Sequence, residues 1–244
     1  MLVSHQKKRI SLSTCLIAQR MRGFTVMEMA IVLVIVGLII GAVSIGTNVQ
    51  RGAGYQRVSS DFVQAWMTTY DRFYEGTGRP PGDVVAAPTG LVNGTTGSFL
   101  CGAALRNEML QAGIELPPGR AEGFEDRFVY LDSNGNPQEV AVCFGAVAWS
   151  EVGASEGSYI SRNRNVMHLT GVTPSLSHLL DNTFDSRSNA SFGKMRQVGQ
   201  HNITTSNRGA VAWSNSDIDN FAANGQARDE AQVVTLNAYV KMSR

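Results

Sequence analysis

Proline is missing from the first 79 residues of this 244-residue chain. Because Pro is the residue that most disrupts a helix interior, nothing in that stretch forbids a long helix. Cysteine is scarce: Cys15, Cys101 and Cys143 are the only three, and none forms the Cys-x-x-Cys spacing of a zinc site. Three of the four histidines, His168, His178 and His201, are equally far from ligand-like spacing. Charge is sparse and balanced, at 17% of residues and a net of +1, so the chain as a whole carries no specific nucleic-acid signal. There is no His-Glu-x-x-His, no phosphate loop and no dinucleotide fingerprint, and the chain is not expected to be an enzyme. What it has in quantity is apolar residues, at 43%, enough to bury a core and too many for compositional disorder.

The charge that exists is unevenly placed. Residues 1–23 hold Lys7, Lys8, Arg9, Arg20 and Arg22 and no acid, which leaves 16 bases against 20 acids beyond them, a net of about −4. The basic character belongs to a leader. From Val26 to Val43 only Glu28 is charged, and Met29–Val43 is an unbroken apolar run. With its flanks this run approaches the roughly 20 residues that span a bilayer. It is too long for the core of an ordinary signal peptide, and no small-x-small cleavage site comes after it. An acid inside an apolar run is a functional candidate by default, because a carboxylate in hydrocarbon needs a partner.

Gly23-Phe24-Thr25-Val26-Met27-Glu28 and the apolar run after it resemble the processing site of type IV prepilins and the related type II secretion pseudopilins. The resemblance covers about 25 residues. It implies cleavage after Gly23 by a membrane prepilin peptidase that also methylates the new amine of Phe24. It implies that Glu28, fifth in the mature chain, is the assembly residue, pairing with the N-terminal amine of a neighbouring subunit. Such a pair acts as a registry device, since a subunit docked out of register leaves a charge buried and alone. Two features depart from the family. The 23-residue leader suits its long-leader branch while a mature N-terminal Phe suits the short-leader branch. Ile45 stands where many pilins have a helix-breaking Pro.

Basic residues before the span put the N-terminus in the cytoplasm and export the chain beyond about residue 47. The spacing of Tyr55, Val58, Phe62, Trp66, Tyr70 and Phe73 then draws one apolar stripe on a helix and predicts packing against a globular head. Gly76-Thr77-Gly78-Arg79-Pro80-Pro81-Gly82 ends that helix. The expected fold is α+β and pilin-like: a long N-terminal α-helix with a membrane-spanning half at 24–47 and a head-packed half at 48–76, and an antiparallel β-sheet head at 77–244. Strands at 128–131 and 140–144 flank a turn containing Asn134-Gly135. A C-terminal strand is expected at 233–240. Gly-Ala-Val-Ala-Trp-Ser occurs at both 145–150 and 209–214 and predicts two equivalent strands. Residues 151–208 read as long surface loops with a short helix near 175–181, started by Thr173-Pro174.

Cys15 leaves with the leader, so Cys101 and Cys143 remain as an even pair in an exported domain. A disulfide is expected there, with two free buried thiols as the alternative. Asp132-Ser133-Asn134-Gly135-Asn136 looks like the start of a calcium loop, but its twelfth position is Cys143 rather than Glu. Asp217 and Asp219, between Asn215 and Asn220, are the other calcium candidates, and a solvated turn or helix cap accounts for them as well. No cofactor is expected beyond that.

The function expected is a structural one: a pilin-like filament subunit, of the minor kind since 221 mature residues exceed a compact major pilin. Its partners would be the prepilin peptidase, other pilin subunits and the inner-membrane assembly platform. It would sit in the bacterial inner membrane as a precursor and then in a filament. A type II secretion pseudopilin is the nearest alternative, and an adhesin or ligand-binding module carried on a pilin-type anchor is an alternative of another class.

Overall fold

The computed structural model describes residues 23–214 and 233–243, and within α1 the side chains of 43–48 lie outside the description. The chain divides into two units, Met1–Gly46 and Thr47–Arg244. The fold is α+β with an antiparallel sheet.

In the first unit, helix α1 (Val26–Arg57) begins. Every side chain described from 24 to 42 is exposed, Leu33 and Leu38 by 70% each. A helix that is apolar on all sides has no preferred face to bury within its own chain. Among the described residues no helix is long and apolar enough to cross a membrane. The expected span at 24–47 includes 43–47, whose side chains are among those not described.

In the second unit the end of α1 continues into a π-helical stretch, Val58–Gln64, and then α2 (Ala65–Thr77). The expected stripe is buried throughout: Val58, Phe62, Trp66 and Tyr70 at 0% exposure, Phe73 at 1% and Tyr55 at 7%. The expected uninterrupted α-helix is corrected by the π stretch. Its wider turn brings Gln64 Nε2 onto Ser59 Oγ, five residues back, and buries Ser59 and Val63 beside Val58 and Phe62. A heptad-like stripe could not announce those two extra contacts. Gly78, in the left-handed region at φ 72°, caps α2 with its N–H on Tyr74 O.

The sheet carries β1 (Phe99–Cys101), β2 (Arg127–Leu131), β3 (Pro137–Val152), β4 (Tyr159–Val172), β5 (Met195–Gln197) and β6 (Leu236–Lys241). Its order is β1-β3-β4-β6-β5, with β2 also pairing β3. The β2–β3 hairpin forms at the expected turn. Val140, Val142 and Phe144 point to the core, where Phe144 meets Trp66 and Tyr70 at ring distances of 6.1 and 5.0 Å. Two further helices, α3 (Gly102–Gln111) and α4 (Pro174–Asp185), flank the sheet. α4 starts as expected, with Thr173 as N-cap accepting from Leu176 N and Pro174 in the first turn.

Three expectations need correction. Residues 151–208 are not mainly loop, because β4 runs through them and pairs with β3 over twelve residues. Ser161-Arg162-Asn163-Arg164-Asn165 has poor strand propensity, and it is the long partner β3 that holds it extended. The second Gly-Ala-Val-Ala-Trp-Ser copy forms no strand. Trp149 sits in β3, whereas Trp213 is buried by a side-chain bond, its Nε1 donating to Asp181 Oδ2. Equal hexapeptides met different neighbours and took different structures. The C-terminal strand begins at Leu236 rather than 233.

Candidate functional site

The N-terminal candidates fall on the first described residues. Gly23 has no neighbouring atom within 4 Å of where a side chain would start, and Phe24 is 80% exposed. Thr25 and Glu28 form a reciprocal cap at the start of α1. Thr25 N and Thr25 Oγ1 donate to Glu28 Oε2 at 2.8 and 2.9 Å, and Glu28 N donates to Thr25 Oγ1 at 3.2 Å. This is the capping box, in which Thr at the cap and Glu three residues on satisfy each other's orphan N–H groups. Thr25 is a site residue that the sequence reading passed over, although Thr-x-x-Glu before an apolar run is a legible signal. The carboxylate thus occupies the very end of the helix, on the backbone N–H that follows Phe24 in the chain.

Cys101 and Cys143 are joined in a disulfide, which ties β1 to β3 at directly opposed positions. Cys101 is also the residue before α3, so the bond anchors that helix to the sheet.

Of the calcium candidates, Asp132 is fully buried and its carboxylate is taken by its own turn: Oδ1 accepts from Asn134 N and Asn136 N, Oδ2 from Gln138 Nε2. That makes it a turn-forming aspartate. Asp217 and Asp219 lie outside the described residues. Among the described residues no group of three or more His, Cys, Asp or Glu could hold a metal ion.

Two histidines far apart in sequence do meet. His168 and His201 each touch the Tyr239 ring, at 4.8 and 4.7 Å, on the sheet face opposite α2, beside Phe99, Trp149 and Val166. Arg196 lies over Trp149 at 4.2 Å and donates through Nη1 to Ser150 O and His201 O. Burial, with Arg196 and His168 close by, lowers the His201 imidazole to about 4. Burial lowers His168 as well. His178 stands apart, on Ser188 Oγ and Ser214 O.

One string the sequence reading missed is Gly153-Ala154-Ser155-Glu156-Gly157, which has the Gly-x-Ser-x-Gly form. A nucleophile elbow requires a strand-to-helix turn with a base nearby. Here the string is the turn between β3 and β4, closed by Gly153 N on Ser158 O and Ser158 Oγ on Ser155 O.

No protein-family model, curated protein or solved structure matches the chain.

Proposed function

We propose that the chain is a type IV pilin-like filament subunit of the minor kind, cut between Gly23 and Phe24 and assembled through its N-terminal helix. The observation that carries this reading is a single carboxylate, Glu28, in the first turn of a helix whose other described side chains to residue 42 are apolar or small and all exposed. Such a surface calls for a nonaqueous environment, first the bilayer and then the packed helices of a filament. Within it, Glu28 faces two states. Alone, its carboxylate is held by Thr25. In a filament it pairs with the ammonium of a neighbour's Phe24, and the out-of-register alternative is an unpaired buried charge. The pilin-like fold comes with the same reading: a long helix half in the membrane and half on an antiparallel head.

The test is the mature N-terminus, read by mass spectrometry on protein from its native host with the prepilin peptidase present and deleted. A chain beginning at N-methylated Phe24, found only with the peptidase, is expected. An uncut chain, or one cut beyond the apolar run, would remove the main support for the reading.

A further inference from the structure

One edge of the sheet is left open. β4 lies against β3 over twelve residue pairs, but on its other side β6 covers it only as far as Val166, opposite Lys241. One further bond follows, Met242 N to Asn165 O at 2.9 Å, and Ser243 then turns to α2, its Oγ donating to Asp71 Oδ1. Among the described residues nothing pairs with the edge that remains, and Ile160, Ser161, Arg162 and Asn163 are all exposed.

The backbone groups on that edge can be assigned. In an antiparallel ladder both backbone groups of a residue face the same neighbour, and successive residues face opposite neighbours. Asn165 O faces β6, so Asn163 and Ser161 face the same way. Ser150, the β3 partner of Ser161, agrees: its N–H points away from β4 and bonds His201 O at 2.9 Å, as in a pair whose groups turn apart. Ser161 and Asn163 therefore offer their N–H and C=O groups to solvent, about 7 Å apart along the strand, the two-residue repeat that a further strand would match.

An open edge is a template for any extended chain, and charge selects among candidates. Arg162, Arg164 and Lys241 stand on one face of the sheet around Glu151. Arg164 takes that carboxylate in two bonds, at 2.7 and 2.8 Å, and holds it below the ordinary carboxylate range. Arg162 and Lys241 reach it only at 3.7 and 3.8 Å. Three bases against one acid leave a surplus of positive charge beside the open backbone. A second copy pairing edge to edge would set these arginines against each other, and like charges directly opposite are destabilising. A strand with carboxylates on that face meets attraction instead. We infer that residues 160–164 of β4 form a docking edge for an extended, acid-rich segment of a partner protein, which adds to the sheet as a further strand. Its backbone bonds Ser161 and Asn163, and its carboxylates face Arg162 and Lys241. The edge belongs to the second unit alone, so this contact does not rest on the filament reading.

The probe is a short fluorescent peptide of alternating Glu and Val, titrated into the full chain in detergent micelles, with a peptide of alternating Lys and Val as its counterpart. The acidic peptide should bind and the basic one should not, and the bound peptide should slow hydrogen exchange over residues 159–165. Arg162→Glu should weaken the acidic peptide roughly tenfold or more and admit the basic one. Asn163→Pro removes an outward N–H at the kind of edge position where a strand tolerates proline, so the melting temperature should hold while binding is lost. The charge swap at 162 decides the matter even if that variant does not fold. Arg72→Glu, an exposed reversal on α2, should leave binding as it was. Absence of binding would overturn the proposal. So would binding that survives Asn163→Pro or adds no exchange protection, since that is charge attraction without strand addition and would suit any polyanion. Dimers linked through this edge in the absence of peptide would give it to a second copy and overturn the proposal as well.

Discussion

Leu38 and Phe62 lie 24 residues apart in one helical run, yet Leu38 is 70% exposed and Phe62 not at all. The difference is pattern rather than hydrophobicity. Around Leu38 every side of the helix is apolar, and no face is singled out. Around Phe62 the apolar side chains recur every three or four residues, with Asp61, Gln64, Thr68 and Asp71 between them, so one face can be buried while the other keeps its water. The amphipathic part folds against its own sheet. The uniformly apolar part is exposed at every described side chain up to residue 42, and under the proposed function the lone Glu28 at its start acts as a specificity device.

The largest expected effects break the first part and spare the second. Replacing Gly23 by a bulky residue should abolish cutting, leaving only full-length precursor on a membrane immunoblot. Glu28→Ala or Glu28→Leu should leave cutting intact but reduce incorporation into sheared filaments to a trace, since no carboxylate remains to set the register. Normal filaments from either Glu28 variant would end the assembly role assigned to that residue.

Changes in the second part should do the reverse. Phe62→Ala removes a fully buried ring that packs on Phe128 at 5.5 Å, and a cavity of that kind costs about 3–5 kcal/mol. Denaturant unfolding of the purified chain should show that loss while the mature N-terminus stays unchanged. Converting both Cys101 and Cys143 to Ser opens a loop of 42 residues' separation and should cost about 4 kcal/mol on the chain-entropy account. A loss well under 1 kcal/mol would mean that the β1–β3 pairing and α3 hold that corner without the bond.

How much of this was legible depended on whether the signal was local. The stripe from Tyr55 to Phe73, the Asn134-Gly135 hairpin and the Thr173-Pro174 helix start are short-range patterns, and each lies where the sequence placed it. β4 was not legible, because its Arg and Asn residues are strand-forming only beside β3. A staple at Asp83 was hidden for the same reason, since nothing in Pro-Pro-Gly-Asp says that the amides of Thr89 and Gly90 will return to that carboxylate. Thr25 was legible and missed: the family's processing motif drew attention to Glu28, and the capping box it shares with Thr25 needed only local rules. The meeting of His168 and His201 on Tyr239 is purely tertiary.

The smallest effect separates two regions of the second unit by pH. His201 sits at about 4 in the folded chain against an ordinary 6.5, so the unfolded chain binds its proton first as pH falls. The stability that its neutral form contributes is present above 6.5 and is lost as pH drops through that window toward 4. Asp181 has the opposite sign. Burial, with Asp185 beside it, raises its carboxyl well above 3.8, although Asn189 N and Trp213 Nε1 oppose the rise. Its contribution is full below 3.8 and is lost as pH climbs through the raised value. Both windows cover the weakly acidic range with opposite slopes, so the two contributions largely cancel there and leave the melting temperature nearly flat. His201→Gln should leave only the Asp181 slope, so that melting temperature falls as pH climbs through the weakly acidic range. Asp181→Asn, which keeps an acceptor for Trp213 without the charge, should leave only the His201 slope, so that melting temperature falls as pH drops from 6.5 toward 4. If neither variant changes the slope between pH 4 and 6.5, the carboxylates of the surface rather than these two buried groups set the profile.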